Sequence, residues 1–509
     1  MVFNSYGYLL LFLPFVVTLY RGVARFGGRA HRLLVLIAAS LAFYALADAA
    51  TLALLLVSLV GNFLLARRIG ASVTKQSWAS CGVAANIAVL VWFKFGLSRF
   101  AILEPLWGHN ANAVRQLLLP VGLSFYTFQQ IAFLVDTARE RIGRAEPLSY
   151  AASVLFFPTI VAGPITYYRD FAPQVDAGPD SARLADDLTI GLVQIAMGLF
   201  KKTVIADTFA LWVDPLFART AGGMTTGPCV SWAMVTGFLL EMYFDFSGYS
   251  DMAMGSARML GIRLPLNFYS PLRVTNIVDW WRRWHMSLGR FVNEYVFQSL
   301  ALPLTRWGMG RGLARTSLLV VTILLPTAVS MVVIGAWHGA KWTYLVFGLM
   351  HAGYMIIAEC WAFVRGKRKL ATQAWHGWLG NALTLLAVLF ALAPFRATDM
   401  PTTLGIWRGM LGFSPDAPGS LAFVPGGGAI VAFEIAVGLA ICWLLPCSTR
   451  LLDKFEPCLD WQRWRKVSAP TVLLEWRPNL RWGLACGALL FASIAFIGRG
   501  SGGFVYAGY

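Results

Sequence analysis

From Thr316 to Trp337 the chain runs without a single Asp, Glu, Lys or Arg. A helix rises about 1.5 Å per residue, and about 20 apolar residues cross the hydrocarbon of a bilayer. Similar runs lie near 3–20, 33–47, 49–66, 78–97, 117–135, 151–168, 188–210, 229–250, 342–358, 378–395, 429–446 and 480–498. They predict an all-α, multi-pass membrane protein with about 11 to 13 transmembrane or re-entrant helices, since backbone groups in hydrocarbon must bond within their own segment. A different pattern holds from Asp279 to Phe297, where Trp281, Trp284, Leu288, Phe291 and Tyr295 fall on one helical stripe and Arg283, Ser287, Arg290 and Glu294 on another face. That spacing predicts an amphipathic helix lying at the membrane interface. The polar stretches between the runs, near 169–187, 264–315, 365–377, 397–428 and 447–479, are too short or too rich in Gly and Pro for separate cores. The expected organisation is one membrane-embedded domain over residues 1–509.

Composition agrees with the pattern. Of 509 residues, 58% are hydrophobic and only 13% charged, with a mean hydropathy of +0.62. Soluble domains carry roughly twice that charged fraction. The net charge of +17 suggests nucleic acid at first sight, but the basic residues are spread over alternate loops. Arg21, Arg25, Arg29 and Arg32 follow the first run, Arg67, Arg68 and Lys75 the third, and Arg139, Arg141 and Arg144 the fifth. This positive-inside pattern predicts cytoplasmic basic loops, a periplasmic N-terminus and no nucleic-acid partner. The basic face suits anionic headgroups of the lipid bilayer, or a polyphosphate-bearing donor. The first run has no basic segment before it and no small-residue cleavage site, so it is expected to be a retained span. Seven scattered cysteines show neither metal-ligand spacing nor a disulfide framework, and no metal site is expected.

The candidate chemistry is histidine chemistry. His338 lies in Gly335-Ala336-Trp337-His338-Gly339-Ala340, at the end of the uncharged run. A histidine at that depth is costly unless it has partners or lines a cavity, and small neighbours admit another backbone or a substrate. It either packs two helices or works as a catalyst, and the second reading is the stronger. For His285, beside the aromatic stripe, two readings stand: part of an anchor, or a proton acceptor. His351 reads as a packing residue, and His31, His109 and His376 as loop residues. In Tyr243 to Asp251, Asp245 and Tyr249, and Ser247 and Asp251, stand at i, i+4 spacing. They could shape a polar funnel or satisfy nearby arginines, as could Asn267 and Asp279; structural roles are favoured. Ala162-Gly163-Pro164 reads as a kink and Lys201-Lys202 as a span-end charge pair. No P-loop, zinc site or serine elbow is present. A histidine base can activate a hydroxyl for attack on a thioester with neither metal nor protein nucleophile.

Six motifs follow one another along the chain: Leu119 to Gln129 (LPVGLSFYTFQ), Ala162-Gly163-Pro164, Tyr243 to Ala253 (YFDFSGYSDMA), Trp281 to Leu288 (WRRWHMSL), Gly335 to Ala340 (GAWHGA) and Phe395-Arg396-Ala397. On these residues the chain resembles the membrane-bound O-acyltransferase family, and within it the bacterial branch that acetylates alginate. The likeness extends from Met1-Val2-Phe3-Asn4-Ser5 to the aromatic tail Phe504-Val505-Tyr506. The resemblance implies that His338 is the catalytic histidine and His285 the second histidine at the bottom of a membrane funnel. It implies a donor and substrate tunnel that includes Trp337, Arg282, Arg283, Trp284, Asp245, Ser247, Tyr249, Asp251, Asn267 and Gln129. It also implies an acetyl group from cytoplasmic acetyl-CoA as donor substrate, with no bound cofactor. That group is passed across the bacterial inner membrane toward an extracellular polysaccharide, through a periplasmic SGNH-type acetyltransferase and a polysaccharide synthesis complex. The related exporter of D-alanine takes its acyl group from an acyl carrier protein instead. One stretch departs from the branch: an Arg-Asp-Tyr-like sequence and a Gly-Gly-Asn-Arg-like loop are expected after WRRWHMSL. Here Gly289 to Tyr295 (GRFVNEY) and Leu302 to Arg306 (LPLTR) stand in their place. Alginate, cellulose and other exopolysaccharides all remain open as acceptors. Two readings of another class stand beside the acyltransferase: a lipid-linked sugar transporter or flippase, and a non-catalytic scaffold for the partner transferase.

Overall fold

A computed structural model describes residues 2–96, 120–368, 374–466 and 474–498. His109, Leu119 and the tail Phe504-Val505-Tyr506 lie outside the described residues. Among the described residues every regular element is helical. Nine helices among the described residues are long and apolar enough to cross a membrane: Gly7–Phe26, Arg29–Asp48, Leu52–Ala71, Lys75–Phe95, Ser181–Ala221, Arg315–His338, Trp342–Gly366, Trp375–Arg396 and Gly427–Leu444. The outer faces of these helices expose leucine, valine and phenylalanine, such as Leu11, Phe15, Val57 and Phe433, as a lipid solvent requires.

Four of the expected runs take other forms. The run near 117–135 is the 16-residue helix Leu123–Ala138, buried along almost its whole length. The run near 151–168 is two short helices, Pro147–Leu155 and Phe157–Ile160, followed by extended chain. The last run is the 17-residue helix Leu480–Phe496. The run near 229–250 is part of a 32-residue helix, Pro228–Met259, whose residues from Gly237 to Arg258 are all buried. That helix carries Glu241, Asp245, Asp251 and Arg258, and it faces protein instead of lipid.

Its chief neighbour is the helix Leu184–Phe200. Two glycine pairs let the backbones touch. A Cβ on Gly198 would lie 2.5 Å from the Gly248 carbonyl oxygen, and one on Gly255 would lie 2.5 Å from that of Gly191. The pairs are two turns apart on each helix, so the antiparallel contact repeats in register. The first helix continues into a π-helical turn, Lys201–Ala206, which turns two successive lysines inward. Lys201 Nζ is 2.6 Å from Asp251, and Lys202 Nζ is 2.7 Å from Asp245 and 2.8 Å from Asp207. The partners of Asp251 and Asp245 are therefore lysines, and not the arginines that one of the two readings named. A buried carboxylate needs such a partner to remain charged.

The basic loops meet on one face of the protein. Arg21 pairs with Asp187, Arg29 with Asp176, Lys75 with Glu140 and Arg263 with Glu456. Arg169 joins Asp136 and Glu294 there, and Arg290 joins Asp170 and Glu294. Burial alone would push the Glu294 carboxyl up. The Arg169 and Arg290 guanidinium groups bonded to it outweigh burial and hold it below the usual carboxylate range.

The amphipathic helix expected over Asp279–Phe297 is broken. It forms Ile277–Arg283, then Met286–Phe291, with Trp284 extended and His285 left-handed between them. Nor does it lie on the surface as an anchor: Trp280, Trp284, Met286, Leu288 and Phe291 are all buried.

Candidate active site

The break is made by bonds from a segment distant in sequence. Asn276 caps the first short helix, accepting from the Asp279 N–H at 2.8 Å. Beyond that helix, the Tyr269 N–H donates to the Arg283 carbonyl at 3.1 Å and the Met286 N–H to the Asn267 carbonyl at 2.9 Å. His285 between them sits at φ 45° and ψ 54°, a conformation that costs a non-glycine residue about 1–2 kcal/mol.

Asn267 repays that cost. It is fully buried. Its Oδ1 lies 3.0 Å from His285 Nδ1 and accepts from the Ser287 hydroxyl at 3.0 Å and the Ser287 N–H at 3.3 Å. Its Nδ2 donates to Ser250 Oγ at 3.0 Å. With both amide atoms so assigned, the proton of a neutral His285 belongs on Nδ1, and Nε2 is the nitrogen with a lone pair for chemistry. Ser287 Oγ in turn accepts from the Ile165 N–H at 3.0 Å, and the Tyr249 hydroxyl accepts from the Ala162 N–H at 3.3 Å. The Ala162-Gly163-Pro164 turn is thus fastened to the histidine segment.

His338 ends the helix Leu325–His338 and is 4% exposed. Rings enclose it: Trp337 at 4.7 Å, Phe395 edge-on at 4.8 Å, Phe347 at 5.9 Å and Tyr344 at 6.0 Å between centroids. Its helix approaches the next span through Gly335, where a Cβ would lie 2.6 Å from the Tyr344 carbonyl oxygen. The small residues beside His338 therefore admit a backbone. Trp337 joins the two histidines, since its indole is also 6.2 Å from the His285 ring. Phe125 and Phe128 pack on that indole at 6.4 Å and 5.8 Å, and Phe125 lies 6.5 Å from the His285 ring. The result is one aromatic wall serving two buried imidazoles.

The remaining predicted residues divide. Asn267 and Trp337 touch the histidines as described. Gln129 lies one turn beyond Phe125, buried. Ser247 and Asp251 line a narrow polar crevice behind Asn267, together with Lys201, Ser250 and Ser448. Asp245 is held by Lys202. Trp284 stacks on Trp280 at 5.1 Å. Arg283 lies over the Tyr269 ring at 5.8 Å. Arg282 is 70% exposed and pairs with Asp279, on the surface. His351 accepts from the Trp281 indole at 3.2 Å and so joins the broken helix to the span Trp342–Gly366. One neighbour has no counterpart in the sequence reading. Lys94 donates to the Trp337 carbonyl and holds its ammonium 5.1 Å over the indole. A lone lysine between Trp92-Phe93 and Phe95, at the end of an apolar run, is the signal that marked it.

The pattern of the membrane-bound O-acyltransferase (MBOAT) family matches residues 113–393, a stretch that holds both histidines and Asn267. The peptidoglycan O-acetyltransferase of Helicobacter pylori is 32% identical over 410 residues, covering 74% of this chain and 73% of its own. A Pseudomonas aeruginosa protein described as probable alginate O-acetylase AlgI is 32% identical over 423 residues, 81% of this chain and 75% of its own. The teichoic acid D-alanyltransferase of Streptococcus thermophilus is 27% identical over 297 residues, 56% of this chain and 70% of its own.

Proposed function

The chain belongs to the membrane-bound O-acyltransferase family, and from that premise we propose that it takes acetyl from cytoplasmic acetyl-CoA and passes it across the inner membrane for O-acetylation of an extracellular polysaccharide. Relatives named for peptidoglycan and alginate acetylation support the acceptor class. One that transfers D-alanyl to teichoic acid supports an acyl chemistry indifferent to the group carried. In this reading the basic face, with its Arg139, Arg141 and Arg144 loop, is cytoplasmic and the N-terminus is periplasmic. The acyl group is handed to a periplasmic SGNH-type acetyltransferase. Enzyme-family membership displaces the transporter and the scaffold as readings of the whole chain.

The observation that carries the proposal is the shared wall: two buried imidazoles packed on one indole, one of them locked in a single tautomer by Asn267. His338 takes the proton of the acceptor hydroxyl as its oxygen attacks the thioester carbonyl. The carbon–sulfur bond breaks, and the imidazolium returns the proton to the departing sulfur, so the products are an ester and a free thiol. His285 offers Nε2 as a fixed acceptor that orients the incoming hydroxyl. The surrounding rings exclude water that would otherwise hydrolyse the thioester.

The test is acetyl-CoA consumption by purified protein, wild type beside His338→Ala and His285→Ala, with polysaccharide and partner supplied. Loss of turnover in His338→Ala with an unchanged melting midpoint supports the proposal. Wild-type turnover in that variant makes His338 a packing residue. If no sample consumes acetyl-CoA, the same assay with an acetylated carrier protein decides whether a thioester is the donor at all.

A further inference from the structure

Gln129 is a buried carboxamide with both ends unused. It is 4% exposed, yet among the described residues neither its Oε1 nor its Nε2 has a hydrogen-bond partner. Its neighbour Gln130 is paired at one end only: its Oε1 accepts from Ser58 at 2.8 Å, while its Nε2 has no partner among the described residues. A buried carboxamide that leaves its acceptor and both donor hydrogens unused is unfavourable in a finished core. It is favourable where a ligand completes it.

Its position says which ligand. Gln129 follows Phe125 by one helical turn, so the two share a face of Leu123–Ala138. Phe125 packs on the His285 and Trp337 rings. The helix then runs on to Arg139 and the basic face. Gln129 therefore lies about 6 Å from Phe125 along the helix axis, on the side from which a cytoplasmic donor arrives. A thioester donor built on pantetheine, whether coenzyme A or a carrier protein, carries a secondary amide two methylenes from its sulfur. When the acyl carbon is at the histidines, that amide follows on the basic side. A secondary amide offers one N–H and one carbonyl, and the carboxamide of glutamine answers both.

We propose that Gln129 recognises the first amide of the donor's pantetheine arm and sets the depth at which the thioester stops. This rests on the thioester donor proposed above. Gln129 is a specificity residue, and the proton transfers remain with the histidines.

Two small donors test it: S-acetyl-N-acetylcysteamine, which keeps that amide, and S-pentyl thioacetate, which replaces it with methylenes. Wild type is expected to favour the first by about ten- to a hundredfold in kcat/KM, the span that follows from leaving a buried polar group unpaired. In Gln129→Leu that preference collapses below about threefold, and in Gln129→Glu, which keeps a carbonyl acceptor but gives up both amide N–H donors, it falls part of the way. Melting midpoints establish that both variants are folded. Acetyl-CoA and an acetylated carrier protein, run beside them, identify which carries the arm. Retention of the full preference by a folded Gln129→Leu overturns the assignment. If wild type consumes none of the four thioesters, the donor proposal itself fails, and that outcome is distinct from the first.

Discussion

Replacing Asn267 with leucine removes one acceptor from three buried donors: His285 Nδ1–H, the Ser287 N–H and the Ser287 hydroxyl. Each stranded donor costs about 1–3 kcal/mol. The hydroxyl can rotate to another partner, which leaves the ring and the backbone N–H, or about 2–6 kcal/mol in all. Against that stands the 1–2 kcal/mol released if His285 abandons its left-handed conformation. Relaxation is therefore the cheaper response: the two short helices straighten toward one, and the imidazole leaves the Trp337 wall. Each 1.36 kcal/mol of lost transition-state stabilisation is a factor of ten in rate, so Asn267→Leu should lower kcat by at least about a hundredfold. Its melting midpoint should fall by several degrees. Ser250→Ala, which deletes only the bond on the far side of Asn267, should cost about 1 kcal/mol of stability and leave kcat within a few-fold. The assay is thiol release from acetyl-CoA in detergent, with kcat and KM resolved and a thermal melt on each sample. A folded Asn267→Leu with wild-type kcat would refute the claim that Asn267 positions His285.

Three further outcomes follow from the packing and the charges. Lys202→Met strands Asp245 and Asp207 in a buried site and should destabilise by about 3–5 kcal/mol; adding Asp245→Asn and Asp207→Asn should restore much of the lost melting temperature. Gly198→Ala drives a methyl into the Gly248 carbonyl and should lower the melting midpoint sharply, whereas Gly61→Ala, with open space around it, should leave it unchanged. The Glu294 carboxyl is held low by Arg169 and Arg290, so its contribution to stability is complete above the unfolded value of about 4.3. That contribution disappears as pH falls through the lower folded value. A plot of melting midpoint against pH should drop less steeply below about pH 4 for Glu294→Gln than for wild type; parallel curves would mean the ion pairs contribute nothing.

The sequence made the lipid-facing helices legible because hydrocarbon imposes a single demand on all of them, length without charge. It could not separate those from Leu123–Ala138 and Pro228–Met259, since an apolar residue reads alike whether lipid or protein covers it. The carboxylates of Pro228–Met259 carried the distinction. His338 was legible as a costly group in an apolar setting, whereas His285 was legible only as a histidine beside an aromatic stripe, either part of an anchor or a proton acceptor. The break at His285 was not, because the bonds that make it come from Asn267 and Tyr269, well upstream, and helical periodicity has no means of registering them. The inward turn of Lys201 and Lys202 escaped for a similar reason: it depends on a π turn and on the acids of another helix.

The glycine contacts between Leu184–Phe200 and Pro228–Met259 bear on how cargo could cross. Carriers that alternate between inward and outward states need two bodies able to roll over one another, with side chains as the bearing. Here main chain rests on main chain at two levels, without a layer of side chains to slide on, and salt links cross the same seam. Such a pair moves as one girder. If the proposed transfer runs beside this pair, it passes fixed walls, and the reach of the donor, not a swing of the walls, sets its pace.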